Sequence, residues 1–390
     1  MGIKKSLISG AAITALVLSS VFVAATGSSA SYGDGHGHGG GGDPGGGDGT
    51  TASLLVSGVE GASGSTIGPD GALYVAEGAI GQVTRIDTRT GETSPLVTGL
   101  PPAIIPVGGA IDVAFIDDTA YVLVTNVGDD VPGSTTNDVV GIYRVDGPDS
   151  FTVVADLGEW TLENPPPPDL DYFIARGVLF AMEPVRGGFL VTDAHLNRVL
   201  RVSFDGEVEL VEQFGNIVPT GLTTQGREVF VAEAGPVPHA PETGKVITFG
   251  LRDPRPRDVA SGASLLVDVE FGPCGLYALS QGDSPGDVQD GSPALPDSGE
   301  LLLVEGDGTF SPVAEDLDRP TSVDFSHDTA YVVTLNGEVW KLDDVCGDHG
   351  HHGGWDHGVD QHSDGHHWDG QHSDGHHGDD DHGDGRHNDR

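Results

Sequence analysis

Basic residues, cysteines and long hydrophobic runs are all scarce in this chain of 390 residues. The 18 lysines and arginines stand against 60 aspartates and glutamates, which gives a formal net charge of −42. Such a surface repels phosphate backbones and anionic lipid, so we expect neither a nucleic-acid nor a membrane partner. The excess of negative charge has two explanations: it keeps the protein soluble, including in high salt, or it attracts cations. The two cysteines, Cys274 and Cys346, form no cysteine-based metal motif.

The one long apolar run lies at the N-terminus. Lys4 and Lys5 precede the apolar residues 7–25, and small residues follow up to Ala30. This order is typical of a secretory signal peptide cleaved after Ala30, or alternatively after Ala25. An uncleaved anchor is the competing interpretation, but the run is barely long enough to span a bilayer. We therefore expect residues 1–30 to be removed and the mature protein to be soluble and secreted, either extracellular or periplasmic.

A short apolar phrase recurs six times along the chain. Its first copy is Leu73-Tyr-Val-Ala-Glu77, with a turn before it and a further strand after it. One such unit cannot bury its own apolar faces, so the copies must stack. Their spacing suits four-stranded blades of roughly 40 to 50 residues with insertions, which predicts an all-β, six-bladed β-propeller over residues 52–346. A β-sandwich is the alternative. The other copies are residues 120–124, 189–193, 229–233, 276–280 and 330–334.

The two ends of the predicted ring complement each other. The sixth copy turns hydrophilic at Asp343 before a fourth strand, whereas residues 53–57 resemble the outer strands of other copies. We predict that this N-terminal strand completes blade six and removes an exposed sheet edge. An exported protein also permits a disulfide between Cys274, near the start of blade five, and Cys346, at the end of blade six. The sequence leaves open whether the two sulfurs meet.

Glycine, histidine and aspartate dominate both ends of the chain. The leader, residues 31–51, and the tail, residues 347–390, cannot bury enough apolar surface to fold, so we expect both to be disordered. Neutral imidazoles bind zinc, copper and nickel, and paired histidines place two ligands near one ion. The tail is therefore predicted to chelate these metals, with a solvated spacer as the alternative. Its histidine pairs are His351 and His352, His366 and His367, and His376 and His377.

The predicted channel of the propeller gathers polar residues from several blades. Alignment of the inner strands sets Asp112 against Asp268 and Ser322. Two or three carboxylates and an amide at one axis can hold a hard cation such as calcium through oxygen ligands. The alternative is that strand-end carboxylates accept hydrogen bonds from turn amides. The axial metal candidates are Glu77, Asp112, Asn126, Asp193, Glu233 and Asp268.

Standard catalytic signatures do not occur in the sequence. It has no Gly-x-Ser-x-Gly elbow, His-Glu-x-x-His helix, phosphate loop or dinucleotide fingerprint, so we assign no catalytic residue and expect no organic cofactor. His195 follows Asp193 closely, but a histidine in a surface loop is the favoured interpretation over a hydrolytic pair.

Three phrases of the chain are residues 68–77 (Gly-Pro-Asp-Gly-Ala-Leu-Tyr-Val-Ala-Glu), 109–115 (Gly-Ala-Ile-Asp-Val-Ala-Phe) and 189–194 (Phe-Leu-Val-Thr-Asp-Ala). They resemble phrases of the ScyD/ScyE family of exported propeller-like proteins. The resemblance implies a secreted, six-bladed propeller without an established reaction, and NHL-repeat and gluconolactonase-like (SMP-30-type) propellers share these phrases. Gluconolactonase-like enzymes hold a divalent metal in the channel, and the resemblance makes Glu77, Asn126 and Asp193 only approximate counterparts of those ligands.

Together these features favour a binding module over an enzyme. We expect a monomer that binds a small molecule, a polysaccharide or a protein at one mouth of the propeller. The alternative is a metal-dependent hydrolase or lactonase that uses the carboxylates at the axis.

Overall fold

The computed structural model describes residues 45–46, 49–167, 174–286 and 292–346. The predicted signal peptide, most of the leader and the histidine tail lie outside these residues. No helix in the described ranges is long and apolar enough to span a membrane.

Antiparallel strands account for nearly all of the regular structure. They form six sheets of four strands each, which are the blades and are numbered one to six in chain order by their inner strands. One extra strand lies at the edge of blade five. In chain order the elements are β1 (Gly45–Gly46), β2 (Thr51–Ser57), β3 (Ala62–Ile67), β4 (Leu73–Glu77), β5 (Gln82–Ile86), β6 (Thr93–Thr98), β7 (Gly109–Ile116), β8 (Thr119–Thr125), β9 (Gly141–Gly147), β10 (Ser150–Asp156), α1 (Leu157–Glu163), β11 (Leu179–Val185), β12 (Gly188–Asp193), β13 (Arg198–Ser203), β14 (Val208–Gln213), β15 (Pro219–Gln225), β16 (Glu228–Glu233), β17 (Gly244–Gly250), β18 (Asp253–Ala263), β19 (Leu266–Gly272), β20 (Gly275–Ser280), β21 (Gly299–Val304), β22 (Phe310–Leu317), β23 (Pro320–Ser326), β24 (Thr329–Thr334) and β25 (Glu338–Asp343).

The first strand of each blade lies on the inside of a closed ring. These inner strands are β3, β7, β11, β15, β19 and β23; each contacts the next, and β23 returns to β3. The recurring phrase forms the second strand of each blade, which pairs with the inner strand on one side. The predicted six-bladed β-propeller is therefore confirmed.

Aromatic residues of the phrase seal the contacts between blades. Tyr74 of blade one packs edge-on against Phe115 of blade two, with ring centroids 4.7 Å apart. Tyr277 of blade five meets Phe325 of blade six at the same centroid distance, 4.7 Å. Phe230 and Phe271 repeat the contact between blades four and five at 5.2 Å. Burying these rings makes each blade dependent on its neighbour, because the apolar faces are covered only in the ring.

The N-terminal strand completes blade six, as the sequence predicts. β2 pairs antiparallel with β25, from Thr51 opposite Asp343 to Ser57 opposite Glu338. The strand order of this blade is β2, β25, β24, β23, so its outermost position comes from the start of the chain. Both ends of the described ring thus meet in one sheet.

A disulfide holds the C-terminal end of the ring in place. Cys274, in the turn between β19 and β20, is bonded to Cys346, which follows β25, and the two Cα atoms are 5.7 Å apart. The bridge links blade five to the end of blade six across 72 residues of sequence. This settles the pairing that the sequence leaves open.

One helix departs from the all-β prediction. α1 follows β10 directly, and its first turn is capped by Asp156, whose side chain accepts a hydrogen bond from the Glu159 N–H at 2.8 Å. The buried Arg198 fixes the other end by donating to Thr161 Oγ1 at 2.8 Å and to the Asn164 carbonyl at 3.0 Å. The helix carries the chain from blade two towards the proline run at 165–168.

Candidate ligand-binding channel

Each inner strand bends once near its start. Its register against the second strand shifts there, which marks a β-bulge, and a bulge re-aims the side chains that follow. After the bulge, Asp112, Asp268 and Ser322 pair with equivalent residues of their second strands, as the alignment of the inner strands predicts. The shifts lie between Ala62 and Ser65, Ala110 and Asp112, Leu179 and Met182, Pro219 and Leu222, Leu266 and Asp268, and Pro320 and Ser322.

Two residues further along the inner strands, a second layer of acidic side chains reaches the channel. Glu183 pairs with Leu190, Glu270 with Tyr277 and Asp324 with Tyr331, again at equivalent places in their blades. At about 3.3 Å per residue this layer lies roughly 7 Å deeper than that of Asp112 and Asp268. The channel carboxyls, as we call this set, are Asp112, Glu183, Asp268, Glu270 and Asp324.

Asp112 and Asp268 each join two neighbouring blades in the same way. Asp112 accepts hydrogen bonds from the N–H of Val113 at 2.8 Å and from that of Met182, in the next blade, at 2.7 Å. Asp268 accepts hydrogen bonds from Val269 and, in the next blade, Val323, both at 2.9 Å. The same bridge thus occurs between blades two and three and between blades five and six.

A glycine makes room for each of these bridges. A Cβ on Gly64, in blade one, would lie 2.2 Å from Asp112 Oδ1, and a Cβ on Gly221, in blade four, would lie 2.2 Å from Asp268 Oδ1. Real Cβ atoms do not approach an oxygen so closely, so both positions require glycine. Blades one to three and blades four to six therefore repeat one arrangement: a glycine in the first blade, an aspartate in the second and a donating backbone N–H in the third.

The deeper carboxyls also contact adjacent blades. Asp324 accepts a hydrogen bond from Ser65 Oγ at 2.5 Å, between blades six and one. Glu183 accepts one from Thr224 Oγ1 at 2.9 Å, between blades three and four. Glu270 accepts one from Thr223 Oγ1 at 3.3 Å, between blades five and four. All three residues also line the cavity of the channel.

Burial raises the pKa of every channel carboxyl. The pKa of Asp324 rises to about 6, that of Glu183 to about 7 and that of Asp268 to about 8. The pKa values of Asp112 and Glu270 lie well above the ordinary range, because burial and then the charges of other channel carboxyls oppose ionisation. The six inner strands carry no lysine, arginine or histidine to offset these effects. Part of the set therefore holds protons at neutral pH.

A cavity of about 1060 Å³ opens above these layers at the end where the inner strands begin. All six blades contribute to its lining. Residues 103–107, in the loop between β6 and β7, supply an apolar side that includes Ile104 and Ile105. Gln281, Arg319 and Asn336 supply polar groups from blades five and six. The mouth thus offers apolar contacts, hydrogen-bond donors and carboxyl groups to one ligand.

Four of the axial metal candidates lie away from this cavity, at the ends of their second strands. Glu77 accepts hydrogen bonds from the Glu60 N–H at 2.7 Å and from Gln82 Nε2 at 3.0 Å, and also contacts Thr84. The Asn126 amide donates to the Val107 carbonyl at 2.7 Å. These partners belong to their own blades or to the adjoining loops, in line with the hydrogen-bonding alternative.

Asp193 and Glu233 are paired with bases. Asp193 is fully buried, and its Oδ2 lies 3.2 Å from Arg198 Nε. Glu233 Oε2 lies 3.5 Å from Lys245 Nζ, while burial raises the Glu233 pKa to about 7. Only Asp112 and Asp268 of the six candidates reach the channel. No three histidine, cysteine or acidic residues within the described ranges are arranged to hold a metal ion, and the calcium site stays a prediction.

His195 lies in the turn between β12 and β13 and does not line the channel cavity. Its Nε2 accepts a hydrogen bond from the Ile174 N–H at 3.3 Å, and burial lowers its pKa. Since Asp193 is committed to Arg198, a hydrolytic pair of His195 and Asp193 gains no support. The tail histidines lie outside the described residues.

Sequence reasoning missed Glu183, Glu270 and Asp324. The available signal was an acidic residue inside an otherwise apolar inner strand; Glu270 follows Asp268, and Asp324 follows Ser322, by the two-residue period of a strand. The register shift of each inner strand lies before these positions. Only the observed pairing with the second strand therefore shows that these side chains face the channel.

Neither the protein-family models nor the curated protein sequences include a match to this chain. Among solved structures, a gluconolactonase from Xanthomonas campestris superposes with a TM-score of 0.53 at 12% identity, covering 77% of this chain and 94% of its own. Two others are less similar: the PQQ-bound aldose sugar dehydrogenase from Streptomyces coelicolor (TM-score 0.48, 14% identity, 76% and 99% coverage) and a virginiamycin B lyase from Staphylococcus aureus (0.46, 10%, 75% and 98%). The first likeness shows the propeller fold, and a fold assigns no reaction.

Proposed function

We propose that this protein is an exported propeller of the ScyD/ScyE type that binds a small molecule, or the end of a polysaccharide, in the mouth of its channel. The observation that carries the proposal is the cavity of about 1060 Å³ built by all six blades. Ligand pockets commonly measure about 300 to 1,000 Å³, so this cavity can take a ligand of several rings.

The lining supports a ligand with an apolar face and several hydroxyl groups. Ile104 and Ile105 can contact an apolar face, while Gln281 and Asn336 present amides to hydroxyls. Arg319 adds a guanidinium at the rim, held by Asp318 through hydrogen bonds of 2.7 and 3.3 Å. Sugar rings combine both kinds of surface.

Saturation-transfer NMR with glucose, glucosamine, gluconate and short oligosaccharides tests this proposal on the mature protein. We expect signals for at least one of these probes, and we expect Ile105→Ala with Asn336→Ala to weaken them at least tenfold. Leu210→Ala is the control, since Leu210 lies 50% exposed on the outer edge of blade three. Equal binding by the rim variant and the control would place the ligand outside the cavity.

A metal-dependent lactonase is the second candidate, favoured by the acidic channel on a gluconolactonase-like fold. The hydrolysis of gluconolactone, followed with added calcium or zinc and then with a chelator, decides between the two. An enzyme loses turnover when Asp112→Asn or Asp268→Asn removes a carboxyl group from the channel. A binding module shows no metal-dependent turnover at all, and its ligand affinity follows the rim residues.

We also propose that the tail chelates zinc, copper or nickel. Elemental analysis should compare the mature protein with a chain ending at Cys346, which keeps the disulfide, both prepared without an affinity tag. We expect the metal to disappear with residues 347–390. About one ion retained per shortened chain would instead indicate a site in the propeller.

A further inference from the structure

We propose that the end of the propeller opposite the cavity binds an acidic polysaccharide, a chain of sugars that carry carboxylates, on four arginines of blades three and four. These far-end arginines are Arg186, Arg201, Arg227 and Arg252, and all four are exposed. The proposal is independent of the ligand proposed for the mouth, because it concerns other residues at the other end of the ring.

The far-end arginines differ from most other lysines and arginines of the ring because they lack an acidic partner. Within residues 49–167, 174–286 and 292–346, none of the four forms an ion pair. Glu209 stands opposite Arg201 in the strand pairing, but Arg201 donates to a backbone carbonyl instead. The bases that lie 2.5 to 3.8 Å from a carboxylate oxygen are Arg85, Arg89, Arg144, Arg176, Arg198, Lys245, Arg257, Arg319 and Lys341.

The strand order brings the far-end arginines to one end of two neighbouring blades. Arg186 lies in the turn between β11 and β12, and its carbonyl accepts a hydrogen bond from Arg201 Nη2 at 3.2 Å. Arg227 lies in the turn between β15 and β16, and Arg252 in the turn between β17 and β18. The Leu251 N–H joins these two turns by donating to the Arg227 carbonyl at 3.0 Å. Each blade therefore contributes two neighbouring arginines.

The chemistry and the spacing of these groups favour an extended chain of carboxylates. A guanidinium donates two parallel hydrogen bonds to a carboxylate and stays charged at every ordinary pH. Packed sheets lie about 10 Å apart, so a ligand that meets the arginines of both blades must be a chain and not one small anion. The net charge of −42 repels such a chain at a distance. At about 0.15 M salt, however, exposed charges are screened beyond about 8 Å, so contact at the arginines decides the binding.

An exposed aromatic ring beside the arginines favours a polysaccharide over an acidic peptide. Phe204, in the turn between β13 and β14, is 44% exposed, and its ring packs edge-on against Phe189 with centroids 5.7 Å apart. This turn lies at the same end of blade three as Arg186. The C–H face of a sugar ring is apolar and can cover Phe204 while its carboxylate reaches a guanidinium. A run of aspartates or glutamates offers the charge without that face.

Fluorescence anisotropy of a labelled oligogalacturonate tests the proposal on the full mature chain. The measurement is made at about 0.15 M salt and at about pH 8, where the tail histidines carry no charge. We expect the wild type to bind, and we expect Arg227→Gln with Arg252→Gln to weaken the affinity about tenfold or more, because charge-assisted hydrogen bonds are lost. Phe204→Ala should also weaken it. Absence of binding by the wild type would overturn the proposal.

Arg89→Gln with Arg144→Gln is the matched control, because both residues are exposed on blades one and two and the net charge changes equally. This control should keep the wild-type affinity, and an equal loss would attribute the binding to overall charge. The mouth variant, Ile105→Ala with Asn336→Ala, should also keep it. A loss in the mouth variant alone would place the acidic sugar in the cavity and refute the far-end site.

Competition on the wild type covers the case in which the arginine variant does not fold. Unlabelled oligogalacturonate should displace the probe, whereas neutral oligogalactose and oligoglutamate should not. Equal displacement by oligoglutamate would assign the arginines to an acidic protein and overturn the polysaccharide. Equal displacement by oligogalactose would show that the carboxylates play no part.

Discussion

At the scale of single residues, Arg198 is the most deeply buried base of the ring. It is 2% exposed and touches Asp193, Thr161 and the Asn164 carbonyl, while its guanidinium lies 5.2 Å from the centre of the Trp160 ring. The Arg198 side chain thereby connects the Asp193 carboxylate of blade three with helix α1, which precedes this blade in the chain. The sequence gives no sign of this, since Arg198 stands at the start of an ordinary strand.

We predict that Arg198→Met lowers the free energy of unfolding by about 3 kcal/mol or more, because it leaves the buried Asp193 carboxylate without its partner. Chemical denaturation measures the change. Arg201→Met is the control: Arg201 lies on the same strand but is exposed and bonds only a loop carbonyl, Arg186, at 3.2 Å. Similar losses in both variants would contradict the role given to the buried pair.

At the scale of elements, the strands were largely predictable and the channel was not. Alternating apolar residues and turn glycines predicted the six phrases, and an unmatched apolar strand at 53–57 predicted the closure of blade six. The helix at Leu157–Glu163 was missed because seven residues are too short for a helical period to emerge. The channel residues were only partly found, because the bulges of the inner strands decide which side chains turn inward.

The repeated bridge of the inner strands gives a prediction at two places. Gly64→Ala and Gly221→Ala should each destabilise the ring by about 1 to 3 kcal/mol, since the new methyl group displaces the aspartate that bridges two blades. Gly215→Ala is the control, because a Cβ there meets no atom within 4 Å. Thermal unfolding compares the three. A loss at only one of the two bridges would show that the halves of the ring are not equivalent.

At the scale of the whole molecule, hydrogen bonds of the N-terminal strand close the ring, and a covalent bond ties together the two blades beside that closure. β2 completes blade six through backbone pairing, and the disulfide joins Cys346 to Cys274 in blade five. Of these two links, only β2 joins the start of the chain to blade six; the disulfide holds the end of blade six to blade five.

Reduction should therefore weaken the ring without opening it. For a loop of 72 residues, chain entropy gives a loss of about 4 kcal/mol when the bridge is broken. We expect thermal unfolding to occur at a lower temperature in reductant and still in one cooperative step. The double variant Cys274→Ser with Cys346→Ser should already unfold at that lower temperature and should not respond to reductant.

The position of Cys346 also makes the two ends of the chain mechanically unequal. A pull on the segment that follows residue 346 reaches the disulfide first, and the bond passes the load to blade five before β25 can peel away. A pull on the chain just before Thr51 instead reaches the open end of β2, where hydrogen bonds to β25 resist it. A force applied beyond Cys346 is therefore carried into blade five by a covalent bond, whereas the same force applied before Thr51 can strip β2 from blade six and then continues along the chain into blade one.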